Sequence, residues 1–218
     1  MKKLVIFDLD GTLINTLIDL KNSLNHALFL HNYPERTLEQ TRKAIGNGVY
    51  KLIERSLPHP VSEEEHLSLL EDFRKHYLVH ASDNTLPYDG VFNLLVKLRE
   101  DGYLLAVCTN KLQKASEQLI DKFYLGLFDI NVGDQEGLKK KPAPDMVEYI
   151  LKKLNIKKEE TIYIGDSEVD KQTAVNSGID YIVETYGYRT KEEWLAMDPN
   201  QKTVGTPEEV YEEIKKYR

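Results

Sequence analysis

Three observations predict an α/β fold, with a parallel sheet covered by helices on both faces. Short apolar runs, rich in β-branched residues, alternate with amphipathic stretches of helical spacing after residue 87. One further run of that kind, Leu4–Phe7, stands alone near the start. Between them, residues 16 to about 81 repeat apolar residues at helical spacing and hold no convincing strand. Strands that alternate with helices pair in parallel, so the stretch 16–83 reads as a helical insertion after the first strand. The length agrees: 218 residues is about one and a half domains of ~150 residues. The expected division is a core of residues 1–15 and 84–218 with an inserted unit of 16–83.

Each element has its own signal. Leu4-Val5-Ile6-Phe7 is an unbroken apolar run, as in a strand buried on both faces. In the insertion, Leu17, Leu20, Leu24, Ala27 and Leu28 mark one helical face. Leu67, Leu70, Phe73 and Tyr77 mark another, behind a Ser62 cap with Glu65 three residues on. Tyr33-Pro34 and Leu57-Pro58-His59-Pro60 break the unit. After Gly90 come a helix through Leu98, a strand at 103–108, and a helix at 111–123 with Asn110 as its expected cap. A weak strand at 128–132, a helix at 143–154, a strand at 161–164 and a helix at 168–177 follow. A strand at 181–183 and a closing helix at 207–217 complete the series.

Composition excludes several classes. The 29 basic and 36 acidic residues give a net charge of -7, whereas sequence-blind nucleic-acid binding needs a basic footprint. A single Cys108 can form neither an internal disulfide nor a thiolate metal site. No apolar run approaches the ~20 residues of a membrane span. Asp8 and Asp10 cut the N-terminal apolar run too short for a signal peptide. The expected location is the cytosol, with no membrane and no nucleic-acid partner.

Ligands of open α/β sheets bind at the carboxyl ends of the strands. Here the first strand ends in Asp8 and Asp10, the second in Thr109-Asn110, and a later one in Gly165-Asp166-Ser167, with Asp170 a helical turn on. Acids converging from separate strands repel one another unless a divalent cation joins them. An all-oxygen set suits Mg²⁺. Lys141, in Lys141-Pro142-Ala143-Pro144, would add a fixed positive charge. Mg²⁺, a lysine, a Thr hydroxyl and a turn of backbone amides together describe a phosphoryl clamp.

Asp8-Leu9-Asp10-Gly11-Thr12 resembles the first motif of the haloacid dehalogenase superfamily. At about 5% per residue type, its four specified residues arise by chance roughly once in a thousand chains of this length. Thr109, Lys141 and Gly165-Asp166 with Asp170 follow in the family's order. The resemblance implies a Rossmann-like core with a small α-helical cap inserted. It also implies roles: Asp8 as nucleophile, Asp10 as general acid and base, and Thr109 and Lys141 completing the catalytic set. Gly11, Thr12 and Asn110 would bind the phosphoryl group. The metal set implied is Asp8, Asp10 through its backbone carbonyl, and Asp166, with Asp170 steadying it. The second Asp of the motif favours phosphoryl chemistry over halide displacement.

Within the superfamily the chain looks most like phosphoglycolate phosphatases. The supporting residues are Gly46-Asn47-Gly48, Lys141-Pro142-Ala143-Pro144, Gly165–Asp170 and Tyr186-Gly187-Tyr188-Arg189-Thr190. Many relatives carry an Asp where this chain has Asn15, which weakens only the subfamily match. Gly46, Asn47 and Gly48 are expected to contact substrate. Inorganic pyrophosphatase, sugar-phosphate phosphatase and phosphomutase are the alternatives, along with a non-catalytic binding protein on the same fold. The expected partner is a small phosphate ester, the expected assembly a monomer or homodimer, and the expected hinge 13–16 with 82–86. Cys108, Trp194 and the tyrosines read as packing. The six histidines (26, 31, 59, 66, 76 and 80) all fall in the insertion and read as its surface, with no metal spacing evident.

Overall fold

A computed structural model describes residues 1–46 and 48–217. It divides into two compact units, Met1–Ile14 with Pro87–Arg218, and Asn15–Leu86. The chain crosses between them at two-residue strands, β2 (Ile14–Asn15) and β3 (Leu86–Pro87).

The first unit is built on a six-stranded sheet. Its strands are β1 (Leu4–Phe7), β4 (Leu104–Leu112), β5 (Ile130–Asp134), β6 (Thr161–Gly165), β7 (Asp180–Glu184) and β8 (Thr203–Val204). Their order is β5-β4-β1-β6-β7-β8, and every pairing is parallel. β1 lies between β4 and β6, with Phe7 opposite Val107 on one side and Ile164 on the other. The sheet therefore grows outward in both directions from β1, and such a switch point leaves a crevice at the carboxyl ends of the strands.

Period-two alternation divides the core. Val5, Phe7, Leu105, Val107, Ile162 and Ile164 face one side, where α5 (Val91–Glu100), α6 (Gln113–Tyr124) and α10 (Pro207–Lys215) supply Leu95, Leu119 and Ile214. Leu4, Ile6, Ala106, Cys108 and Tyr163 face the other, against Val147 and Ile150 of α7 (Asp145–Leu154) and Ala174 of α8 (Glu168–Ser177). Each Val, Leu, Ile or Phe among them, fully buried, contributes about 1.5–3 kcal/mol. Cys108 is a buried core residue, as expected.

Differences from the sequence reading have local causes. β4 runs on to Leu112, past the expected end at Cys108, through a register shift between Cys108 and Leu112. The helix therefore starts at Gln113, and Leu112, not Asn110, occupies its cap. A strand of two residues, β8, and the short helix α9 (Lys191–Met197) went unforeseen. α9 carries a Thr190–Glu193 capping box, a signal legible in the sequence.

The second unit is helical: α1 (Leu17–Leu30), α2 (Leu38–Ala44), α3 (Gly48–Ser56) and α4 (Glu63–His80). Ser62 caps α4 by accepting from the Glu65 amide, as its spacing predicts. Leu20, Leu24, Ala27 and Leu28 of α1 pack in one cluster with Leu69, Leu70, Phe73 and Tyr77 of α4. Asp19 is buried and accepts hydrogen bonds from the Asn84 amides and the Thr85 hydroxyl. His66 is buried too, contrary to the surface reading of the histidines. No helix among the described residues is long and apolar enough to cross a membrane.

Candidate active site

The carboxyl edge of the sheet gathers the candidate residues of the first unit. β1 delivers Asp8, whose backbone amide donates to Ile164 O at 3.0 Å and so stays in register with β6. The chain then turns sharply, with the Thr12, Leu13 and Ile14 amides all directed at Leu9 O. Gly11 makes the turn at φ 90°, where an L side chain is strained. A Cβ there would also lie 2.6 Å from Asp166 Oδ2. Close contact between the two acidic loops thus requires the glycine of the motif.

β6 ends at Gly165 and hands over to α8 through Asp166 and Ser167. Ser167 caps α8 and forms a capping box with Asp170. The Asp170 carboxylate accepts from the Ser167 amide and hydroxyl through Oδ2. Its Oδ1 faces the site and accepts from Lys141 Nζ at 2.7 Å. The same ammonium donates to Asp8 Oδ1 at 2.8 Å and lies 3.1 Å from the Tyr163 hydroxyl. All three donors of one buried lysine are therefore directed into the site. Asn110 holds that segment in place: its amide nitrogen donates to Lys141 O at 3.0 Å, and its carbonyl accepts from Lys141 N at 2.8 Å.

Asp8, Asp166 and Asp170 each offer an oxygen, and these atoms lie within 4.8 Å of one another, all buried. Burial, then the Asp170 charge, pushes Asp8 up to about 7 against the opposing pull of Lys141. Burial, then Asp170 and Asp8, raises Asp166 well above the carboxylate range. Burial by itself would lower Lys141, yet Asp170 and Asp8 outweigh it and hold the ammonium charged. With all three ionised, three carboxylates against one ammonium would leave an excess of negative charge, and without a cation that repulsion helps raise Asp8 and Asp166. An all-oxygen set fits a hard divalent cation, whose opposite oxygen ligands stand about 4 Å apart. Asp170 supplies one of the three oxygens of this cluster. The Asp10 side chain is directed elsewhere, with Lys111 Nζ on its two oxygens at 2.8 and 2.9 Å.

Thr109 is buried on β4, and its hydroxyl accepts from the Lys111 amide. Thr12 is buried beside Glu184, its hydroxyl 3.4 Å from Oε1. The site thus joins Asp8, Asp10, Gly11, Thr12, Thr109, Asn110, Lys141, Asp166 and Asp170. Gly46 and Gly48 belong to the helical unit, at φ 119° and 84°, and Asn47 lies outside the described residues.

Two charged residues escaped the sequence reading. Lys111 stands two residues after Thr109 on β4, beyond the expected end of the strand, and its ammonium reaches both Asp10 oxygens. Glu184 ends β7 and is fully buried; it accepts from the Tyr186 and Gly187 amides at 2.8 and 3.0 Å. That turn presses Gly187 against the Asp10–Thr12 turn so closely that a Cβ would overlap the Gly11 carbonyl. Gly187→Ala is therefore expected to displace the Asp10–Thr12 turn and lower turnover at least about tenfold, because small misplacements at a site are costly. Turnover within twofold of the parent would refute this tight packing. Trp194 does more than fill space, since its Nε1 donates to Asp166 O at 3.2 Å and fixes the acidic loop.

Residues 5–183 match the model of the haloacid dehalogenase-like hydrolase family. The chain belongs to that family, and its parallel sheet is the family's Rossmann-like core. Its relatives narrow the likeness. It is 35% identical over 189 residues to a phosphoglycolate phosphatase of Cereibacter sphaeroides, covering 85% of this chain and 86% of that one. It is 34% identical over 187 residues to one from Aquifex aeolicus, with the same coverage. A crystal structure from Lactobacillus delbrueckii subsp. bulgaricus, provisionally named a phosphoglycolate phosphatase, superposes with a TM-score of 0.91 at 32% identity. That alignment covers 98% of this chain and 99% of the other. The chain is thus a phosphoglycolate phosphatase-like member of the hydrolase family.

Proposed function

We propose that the protein is a Mg²⁺-dependent phosphatase that hydrolyses a small phosphorylated metabolite of the phosphoglycolate kind through an aspartyl-phosphate on Asp8. The observation that carries this reading is the buried oxygen cluster of Asp8, Asp166 and Asp170 with Lys141 Nζ bridging Asp8 and Asp170. The phosphatase names of the relatives support it.

An Asp8 oxygen attacks phosphorus, and the bond from phosphorus to the ester oxygen breaks. The leaving oxygen takes its proton from Asp10. Water then gives a proton to Asp10 and attacks the same phosphorus, which frees Asp8 and inorganic phosphate. Lys141 neutralises charge at Asp8, while Thr109, Asn110, Gly11 and Thr12 hold the phosphoryl oxygens. Mg²⁺ on Asp8, the Asp10 carbonyl and Asp166, with Asp170 beside them, would supply the remaining positive charge for a polyanionic reaction. The helical unit serves as the cap, and its Gly46–Gly48 loop takes part in substrate choice. The protein acts in the cytosol, as a monomer or homodimer.

The test is phosphate release across a panel containing phosphoglycolate, sugar phosphates and pyrophosphate, with Mg²⁺ or with a chelator. Phosphoglycolate is expected to turn over fastest, and the chelator to remove at least about 99% of the rate. Turnover indifferent to the chelator would overturn the metal requirement. A preference for pyrophosphate would overturn the substrate class.

A further inference from the structure

The helical unit carries a second set of potential ligands. His76 and His80 are one helical turn apart on α4, the i, i+4 spacing by which a helix offers two imidazoles to one metal. His26 of α1 stacks on His76 with ring centroids 4.2 Å apart, and His76 stacks on His80 at 4.3 Å. Sequence spacing shows only the His76–His80 pair, because 50 residues separate His26 from His76 and only the pairing of α1 with α4 brings them together.

The outer nitrogens of the α4 pair are already engaged. His76 Nδ1 lies 2.9 Å from the Ser23 hydroxyl, and His80 Nδ1 lies 2.7 Å from Asp83 Oδ2. Metal-bound imidazoles use one nitrogen for the ion and give the other N–H to just such a partner. The tautomer with its proton on Nδ1 leaves the Nε2 lone pair of each imidazole able to bind a metal. The three histidines line one surface pocket of about 450 Å³ within this unit. Asp19, Glu35 and Asp83 face it against a single cation, Lys21, so its charge favours a cation over a phosphate or other anion.

We propose that His76 and His80, completed by a turn of the exposed His26 side chain, form a binding site for a borderline divalent transition ion such as Zn²⁺. Nitrogen ligands select this class over Mg²⁺, which prefers oxygen. Burial, with His26 and His80 nearby, holds His76 below the ordinary imidazole range. The site is independent of the phosphatase reading.

The test is calorimetric titration of the whole protein with Zn²⁺ at pH 7.5 in millimolar Mg²⁺. One event is expected that His80→Ala weakens at least tenfold and His26→Ala/His80→Ala removes, while Asp166→Asn leaves it in place. Both histidines lie toward the surface, and thermal melts confirm that the variants fold. If His76 proves necessary for folding, the His26 and His80 variants still decide the matter. The proposal falls if Zn²⁺ fails to bind, if the histidine variants bind it unchanged, or if Asp166→Asn abolishes the event.

Discussion

Asp8→Asn is expected to lower phosphate release by at least about 10⁴-fold while the fold survives. The substitution keeps the shape of the side chain but removes the oxygen that attacks phosphorus, and losses of that order follow when a nucleophile is deleted. Survival of the fold follows from the electrostatics of the site. Burial and the Asp170 charge raise Asp8 to about 7 in the folded protein, against about 3.9 in an unfolded chain. Below pH 4 the residue is protonated in both states. As pH rises from 4 to 7 the unfolded chain ionises first, so the metal-free folded state loses stability across that window. Above pH 7 an ionised Asp8 is a burden on the metal-free fold, which Asn does not impose. Thermal melts at pH 8 in chelator should therefore place the variant at or above the parent, whereas at pH 4 this advantage should disappear. Turnover within tenfold of the parent would sink the role of Asp8, and a melt far below the parent at pH 8 would contradict the account of its environment.

Much of the site was legible because its ligands sit at strand ends, where short sequence blocks map directly onto the sheet edge. Asp8 and Asp10 follow an unambiguous apolar strand, and Asp166 and Asp170 follow another. What escaped depended on partners distant in sequence. Lys111 was hidden because β4 was ended at Cys108, although the strand continues through a bulge to pair Leu112 with Asp134. Asn110 looks like a helix cap by local rules, yet its amide is engaged with the Lys141 backbone 31 residues away. The side chain of Asp10 reads as a general acid and base, and nothing near it in sequence shows that Lys111 lies on both its oxygens. Glu184 was invisible for a different reason. A strand-end glutamate is ordinarily a solvated residue, and only the turn at Gly187 buries it against the Asp10–Thr12 turn.

Lys141→Met is expected to be the most destabilising of the single substitutions at the site. Methionine matches the length of the lysine stem but carries no charge, so Asp8 and Asp170 lose the ammonium that lies 2.8 and 2.7 Å from them. Removing one partner of a buried ionic cluster costs about 3–5 kcal/mol, because the remaining charges stay desolvated and unpaired. In a chain of this size that amounts to roughly 6–20 °C in Tm. The loss should be largest at pH 8 without metal and should shrink toward pH 5. Asp8 and Asp166 are already raised in the parent, and without the lysine the acids accept protons more readily still. Protonation then removes the repulsion, so stability is regained as pH falls. Asp170→Asn added to Lys141→Met should recover part of the loss, since the two side chains act as one unit. Lys141→Arg should not rescue activity, because a planar guanidinium cannot direct three donors to Asp8, Asp170 and the Tyr163 hydroxyl as the ammonium does. Urea unfolding of the parent, Lys141→Met and the double variant at pH 5 and 8 measures the stabilities, and phosphate release measures Lys141→Arg. A Lys141→Met penalty that is the same at both pH values would mean that lost packing, and not unpaired carboxylates, governs the stability of the site.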